Sequence, residues 1–159
     1  MTHLNPESEI VVKQVLEFDM AHRLSNHLGK CKNLHGHRYK VELEFIGTRV
    51  NNENSPEEGM VIDFGNIKQL AKTWVDDTLD HVTMLHVSDT ILIDALSSLG
   101  LQVRVTDYPP TAEAMAEYIF NALDEEFEPL YQDKDFELRS VTLWETPSSS
   151  AYYTRQKQE

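Results

Sequence analysis

Along residues 9 to 20, apolar side chains recur at every second position. Ile10, Val12, Leu16, Phe18 and Met20 share one side of a predicted strand, Gln14 interrupts it, and His22 continues the same phase. A second run alternates more cleanly. Tyr39, Val41, Leu43 and Phe45 face one way, and Arg38, Lys40, Glu42 and Glu44 the other. His35 and His37 are in phase with its apolar side. A loop rich in Asn, Gly and Lys joins the two runs, so they are expected to pair antiparallel. That pairing would project His22, His35 and His37 from one face, near one end.

The period then changes. Residues 51 to 59, "NNENSPEEG", carry turn chemistry. Ile67, Leu70, Ala71, Trp74, Val75 and Thr78 keep helical spacing. A shorter helix is expected from Ser88 as N-cap to Gly100 as C-cap, followed by a short strand in "LQVRVT". Thr111, after Pro109 and Pro110, caps a third helix with Met115, Ile119, Ala122 and Leu123 inward. Residues 136 to 146 read as a strand and "SAYYTR" as its short partner. No repeat or long linker divides the chain, so residues 1 to 159 are expected to form one domain. Two strands, helices, then two strands predict an α+β fold, a four-stranded antiparallel sheet with helices packed on one face.

Charge narrows the partners. Twenty-seven acidic residues against fourteen Lys and Arg leave a net charge of -13. That balance argues against nucleic acid or an anionic membrane as the main partner, while leaving room for a phosphorylated small molecule in a locally basic pocket. No window approaches 18 apolar residues, and Met1 to Glu9 lacks the pattern of a secretory signal. The single cysteine cannot form an intrachain disulfide, which fits a reducing cytoplasm.

The candidate chemistry concentrates in "GKCKNLHGHRY". H-x-H on a strand sets two imidazoles side by side. His22 from the neighbouring strand would complete a His3 set of the kind that holds catalytic zinc with one position open. The plainer reading is three polar residues near a turn. Cys31 has three readings: a fourth ligand closing a structural site, a reactive thiol beside a dication, or an ordinary loop residue. In "LDH", Asp80 could orient His81 for proton transfer. Glu145 in "LWETPSS" is in phase with Val141 and Leu143, so its carboxylate needs a partner. A ligand edge with two parallel N–H groups would suit it, as would Arg139 or water. Asp63 and Glu113 suit helix N-termini. His27 and His86 read as surface residues.

"FDMAHRL", "CKNLHGH", "GMVIDF", "LDH", "PTAEAMAEYIF" and "WETPSS" stand in the order found in 6-pyruvoyl-tetrahydropterin synthase and its bacterial relative, the 6-carboxy-tetrahydropterin synthase of queuosine biosynthesis. The resemblance spans about residues 10 to 153, and the C-x3-H-G-H spacing is similar to the bacterial branch. It implies a tunnelling fold that oligomerises into a barrel, usually a hexamer, with active sites between subunits. It implies Zn2+ on His22, His35 and His37, Cys31 as catalytic thiol beside the zinc, and Asp80 and His81 as a proton relay. Glu145 would grip the pterin ring, with Thr111 helping. The implied substrate is 7,8-dihydroneopterin triphosphate, cleaved to 6-carboxytetrahydropterin, acetaldehyde and triphosphate. Arg23, Lys30, Lys32 and Arg38 are basic candidates for the triphosphate. Residues 86 to 106 look longer than in the shortest members. The alternatives are a pyruvoyl-forming synthase, a pterin side-chain epimerase or aldolase, and a non-catalytic zinc module.

Overall fold

The computed structural model describes residues 4–131 and 135–155. The ends of the expected domain, residues 1 and 159, lie outside them. The elements are β1 (Ile10–His22), β2 (His35–Gly47), α1 (Phe64–Thr78), β3 (Thr83–His86), α2 (Thr90–Ser98), β4 (Val103–Thr106), α3 (Ala112–Tyr131), β5 (Phe136–Thr146) and β6 (Ser149–Thr154).

One sheet contains all six strands, in the order β4-β3-β1-β2-β5-β6. The expected four antiparallel strands are its β1, β2, β5 and β6. The expectation of a purely antiparallel, four-stranded sheet is corrected by β3 and β4, which add on in parallel beyond β1. Their parallel direction follows from helical crossovers: α1 leads into β3, and α2 connects β3 to β4.

Period two holds through β1 and β2. Leu16, Phe18, Met20 and His22 are buried, as are Tyr39, Val41, Leu43 and Phe45. Ile67, Ala71 and Val75 of α1 and Met115, Ala116, Ile119, Phe120, Leu123 and Phe127 of α3 join the same core. Each fully buried large side chain stabilises by about 1.5–3 kcal/mol relative to exposure. Ala122, expected inward, is only half-buried, because the inward stripe of α3 runs through Phe120 and Phe127 instead.

Helix ends follow local chemistry. Asp63 caps α1, accepting from Gly65 N at 2.7 Å. Thr111 Oγ1 accepts from Ala114 N at 3.3 Å at the start of α3, as expected. Helix α2 begins one residue later than expected, with Asp89 at the N-cap. The Ser88 hydroxyl is engaged by His86 Nδ1 at 2.7 Å, and the Asp89 carboxylate by Arg23. Gly100 follows α2 at φ 72, the left-handed backbone that terminates helices.

Candidate metal centre and active site

The register of β1 and β2 builds the histidine cluster. His22 lies directly opposite His35, and Met20 opposite His37. All three imidazoles therefore leave the core face at one end of the strand pair. Their ligand atoms lie within 4.8 Å of one another, and no other described His, Cys, Asp or Glu joins a set of this kind. Gly36 permits the approach: a Cβ there would sit 3.1 Å from Met20 O.

Two rings are aimed by carbonyls. His22 Nδ1 lies 2.8 Å from Pro110 O, and His35 Nδ1 lies 2.8 Å from Asn33 O. A carbonyl only accepts, so Nδ1 carries the proton in both rings and Nε2 is the free nitrogen. Nε2 of His22 and of His37 is buried without a hydrogen-bond partner. Burial pushes the His22 imidazole below its ordinary pKa, against the pull of Pro110 O and Glu145. A buried neutral imidazole with an unpartnered Nε2 is a metal ligand in waiting. Of the three only His22 is buried, and three imidazoles with one side open fit zinc. Pro110 also ties this ring to the start of α3, one residue before Thr111.

Glu145 reaches the same place from β5. Glu145 keeps the phase of the buried Val141 and Leu143, and the pairing of β5 with β6 shifts register beside it. Its Oε2 lies 3.9 Å from His22 Nε2 and its Oε1 3.8 Å from His37 Nε2. Both distances exceed a hydrogen bond. Glu145 and His37 line a cavity of about 590 Å³ with Glu17, Arg38, Lys40 and Trp144. Tyr39, two residues beyond His37 on the same strand, packs edge-on to His22 and His37, and its hydroxyl is buried and unpartnered.

Cys31 is half-buried and free, in a single 3-10 turn, Lys30–Lys32. Its carbonyl accepts from Leu24 N at 2.9 Å, closing the loop back onto the end of β1. It is outside the three-histidine set, which counts against a fourth-ligand role.

Asp80 and His81 form a tight pair, His81 Nδ1 lying 2.7 Å from Asp80 Oδ2. Asp80 Oδ1 accepts from Asp19 N at 2.9 Å, and His81 N donates to Asp19 O at 2.7 Å. Burial alone would raise the Asp80 carboxyl, but the Asp19 N–H and His81 hold it below its ordinary range. His81 has φ 59, the only non-glycine residue with positive φ among those described, so its backbone is held against an intrinsic cost. Its side chain is 77% exposed. The pair sits at the open edge of β1, beside Asp19, whose side chain points away from the core face. Among the described residues no hydrogen bond or ion pair joins it to Cys31 or the histidine cluster.

The basic candidates separate. Arg23 Nε is 2.8 Å from Asp89 Oδ2, and Arg38 makes two bonds to Asp19, at 3.0 and 2.7 Å. Lys30 and Lys32 are exposed. Lys40, not singled out from the sequence, lies 4.6 Å over the Trp144 ring in the cavity beside His37. The carbonyls of Pro110 and Asn33 were also not singled out, although a Pro-Pro-Thr helix start next to the strand ends is the signal for one of them. His86 is bonded through both nitrogens and His27 accepts from Gly29 N, consistent with structural roles.

A model of the 6-pyruvoyl tetrahydropterin synthase family matches residues 10–156. The chain belongs to this family. A 6-carboxy-5,6,7,8-tetrahydropterin synthase from Rickettsia bellii is 40% identical over 134 residues, 84% of this chain and 91% of the relative. One from Haemophilus influenzae is 33% identical over 145 residues, 89% of this chain and 96% of the relative. Among solved structures, the 6-pyruvoyl tetrahydropterin synthase of Caenorhabditis elegans superposes with TM-score 0.66 at 25% identity, covering 96% of this chain and 100% of that one. An uncharacterized protein from Wolinella succinogenes superposes with TM-score 0.77 at 21% identity, covering 94% and 99%, a likeness of fold. No helix among the described residues is long and apolar enough to cross a membrane.

Proposed function

We propose that the protein is a zinc-dependent, cytoplasmic 6-carboxy-5,6,7,8-tetrahydropterin synthase. It would convert 7,8-dihydroneopterin triphosphate to 6-carboxytetrahydropterin, acetaldehyde and triphosphate, a step toward queuosine. The observation that carries the reading is the His22–His35–His37 cluster with Glu145 beside it, in a chain 40% identical to a protein of that name. The pyruvoyl-forming reaction is the second reading, favoured by the structural likeness to the Caenorhabditis elegans enzyme.

His22, His35 and His37 would hold the zinc, which when bound supplies a Lewis acid for oxygens of the substrate side chain. Cys31, on the turn that closes against the end of β1, is the base that removes a side-chain proton. His81 gives or takes the second proton at Nε2, because Asp80 occupies Nδ1. Glu145 accepts N–H bonds from the pyrimidine edge of the pterin, and Thr111, next to the carbonyl that aims His22, borders the ring. Since no hydrogen bond or ion pair among the described residues joins His81 to Cys31, the relay pair would serve the site of a neighbouring subunit in a hexamer. Two features support that assembly. Among the described residues the outer edge of β1 pairs with a strand only at Ala21 and His22 and is otherwise bonded at Asp19, and β6 has no strand on its far side. Open edges of this kind close a barrel when copies pair.

The test is incubation of the zinc-loaded protein with 7,8-dihydroneopterin triphosphate and mass spectrometry of the products. 6-Carboxytetrahydropterin with acetaldehyde is expected. 6-Pyruvoyltetrahydropterin would move the assignment to the second reading, and unchanged substrate would sink both.

A further inference from the structure

The position of Glu145 calls for something more than an anchor for a ring. Its two oxygens are split between two imidazoles, Oε2 at 3.9 Å from His22 Nε2 and Oε1 at 3.8 Å from His37 Nε2. Neither distance is a hydrogen bond. The tautomer makes the confrontation sharper. Pro110 O fixes the proton of His22 on Nδ1, so the neutral ring turns a lone pair toward a carboxylate that also offers only lone pairs. Both Nε2 atoms are buried and unpartnered. Facing acceptors at this range repel unless a cation, a proton or a bridging water lies between them, and three imidazoles gathered at one point favour the cation. The spacing fits that cation: two donors on one tetrahedral zinc, with bonds near 2.1 Å, sit roughly 3.4 Å apart. Glu145 is thus slightly beyond co-ligand spacing, on the open side of the three-histidine set. The strand phase it shares with the buried Val141 and Leu143 puts it on that face.

We propose that Glu145 is a metal-facing carboxylate that closes the open side of the His22–His35–His37 site in the substrate-free protein and leaves it when substrate arrives. The proposal extends the zinc-lyase reading and takes the identity of the metal from it. The same side chain then has two successive partners. In the resting protein it faces the metal, shielding its open position from solvent and stray anions. When a pterin enters the cavity, its N–H edge offers the carboxylate a bidentate partner, and the open position passes to the substrate. The carboxylate needs only a rotamer change for this, because its side chain is 26% exposed at the cavity wall rather than locked in the core.

The experiment compares zinc dissociation constants for wild type, Glu145→Gln and Glu145→Asp by competition with a chromophoric chelator, and the visible spectra of the cobalt-substituted proteins. Ten- to hundredfold weaker zinc binding is expected for Glu145→Gln, the range for removing a group that supports a metal site. Glu145→Asp, which keeps the charge but withdraws it by one methylene, should fall between. The cobalt bands should differ between wild type and Glu145→Gln. Glu137→Gln, exposed at the other end of β5, should match wild type and controls for folding. Equal zinc affinities and superimposable cobalt spectra would overturn the proposal. Sepiapterin added to the cobalt protein separates this from the lyase reading. In wild type it should shift the bands toward those of Glu145→Gln. A loss of sepiapterin binding in Glu145→Gln with zinc affinity unchanged would leave Glu145 a ring anchor only, against the proposal. If sepiapterin failed to bind any of the proteins, the lyase reading would fall, and the zinc comparison would still decide this one.

Discussion

The histidine cluster and the Asp80–His81 pair are built in opposite ways. The cluster stands on two long strands in continuous register, with its rings turned into the core face and two of them aimed by backbone carbonyls. His22 is 1% exposed. The pair stands on a turn at a strand edge. Its imidazole is exposed, and its orientation comes from one carboxylate and a left-handed backbone held by Asp19. A metal site needs three donors that stay put without help, and pairing strands supplies them. A proton-transfer group needs only one orienting bond and access to substrate, and an edge turn supplies both. On the function proposed above, the chain carries one finished half of a site and one half that waits for another surface.

Breaking the finished half should have the largest effect. His35→Ala removes one of three donors, and two imidazoles with water are a poor zinc site. Metal and turnover should both disappear, read by metal analysis of the purified protein and by product formation. Full zinc occupancy in that variant would be incompatible with the assignment. Next comes the thiol. Cys31→Ala should keep zinc and lose turnover by about 10²–10⁴, the range for removing a general base. Zinc lost in step with activity would restore the structural-site alternative.

The waiting half can be tested by mixing. Cys31→Ala and His81→Ala are each expected to be inactive alone. If the two halves come from different subunits, unfolding and refolding an equal mixture rebuilds about one intact site in four. Recovered turnover near that fraction would support sharing, and none would place both halves in one chain.

The strand alternation, the triad and the Asp80–His81 pairing were legible because each rests on a local rule: period two, in-phase histidines, an acid beside an imidazole. What escaped depends on the third dimension. β3 is four residues, and its Met84 and Leu85 are buried in succession, so no alternation marks it. A strand covered on both faces reads as a plain apolar run. Ser88 was the expected cap, but its hydroxyl is taken by neighbouring His86, and Asp89, held by Arg23, stands at the N-cap instead. The phase of Glu145 was readable, while its approach to the histidines depends on β5 pairing beside β2, which no alternation reveals. Nor does the sequence say that Asp80 binds the edge of β1 at Asp19.

Ring recognition should show a smaller effect than the chemistry. Glu145→Gln replaces one acceptor oxygen with a donor that would face an N–H. Sepiapterin affinity should fall by roughly 2–4 kcal/mol, as when one partner of a buried charge-assisted bond is removed. Equal affinities in a titration would take Glu145 out of the pterin pocket.

The smallest expected effect probes the strand register itself. Gly36 separates His35 and His37 and faces Ala21 across the β1–β2 pair. A Cβ at Gly36 would lie 3.1 Å from Met20 O and 3.6 Å from Ala21 Cα. Those are backbone atoms of the strand that carries His22, so β1 and β2 must part by a few tenths of an ångström beside the cluster. The backbone at Gly36 has no positive φ, so Gly36→Ala adds no conformational strain and acts by contact alone. Fold stability should change by less than about 1 kcal/mol, because the site is at the strand end. Zinc affinity should fall a few-fold, because donor placement is the quantity disturbed. Thermal melting and chelator competition on the same samples separate the two. A melting temperature that drops while zinc affinity holds would mean that Gly36 serves the sheet, and that the histidines are positioned by their carbonyl partners rather than by the spacing of the strands.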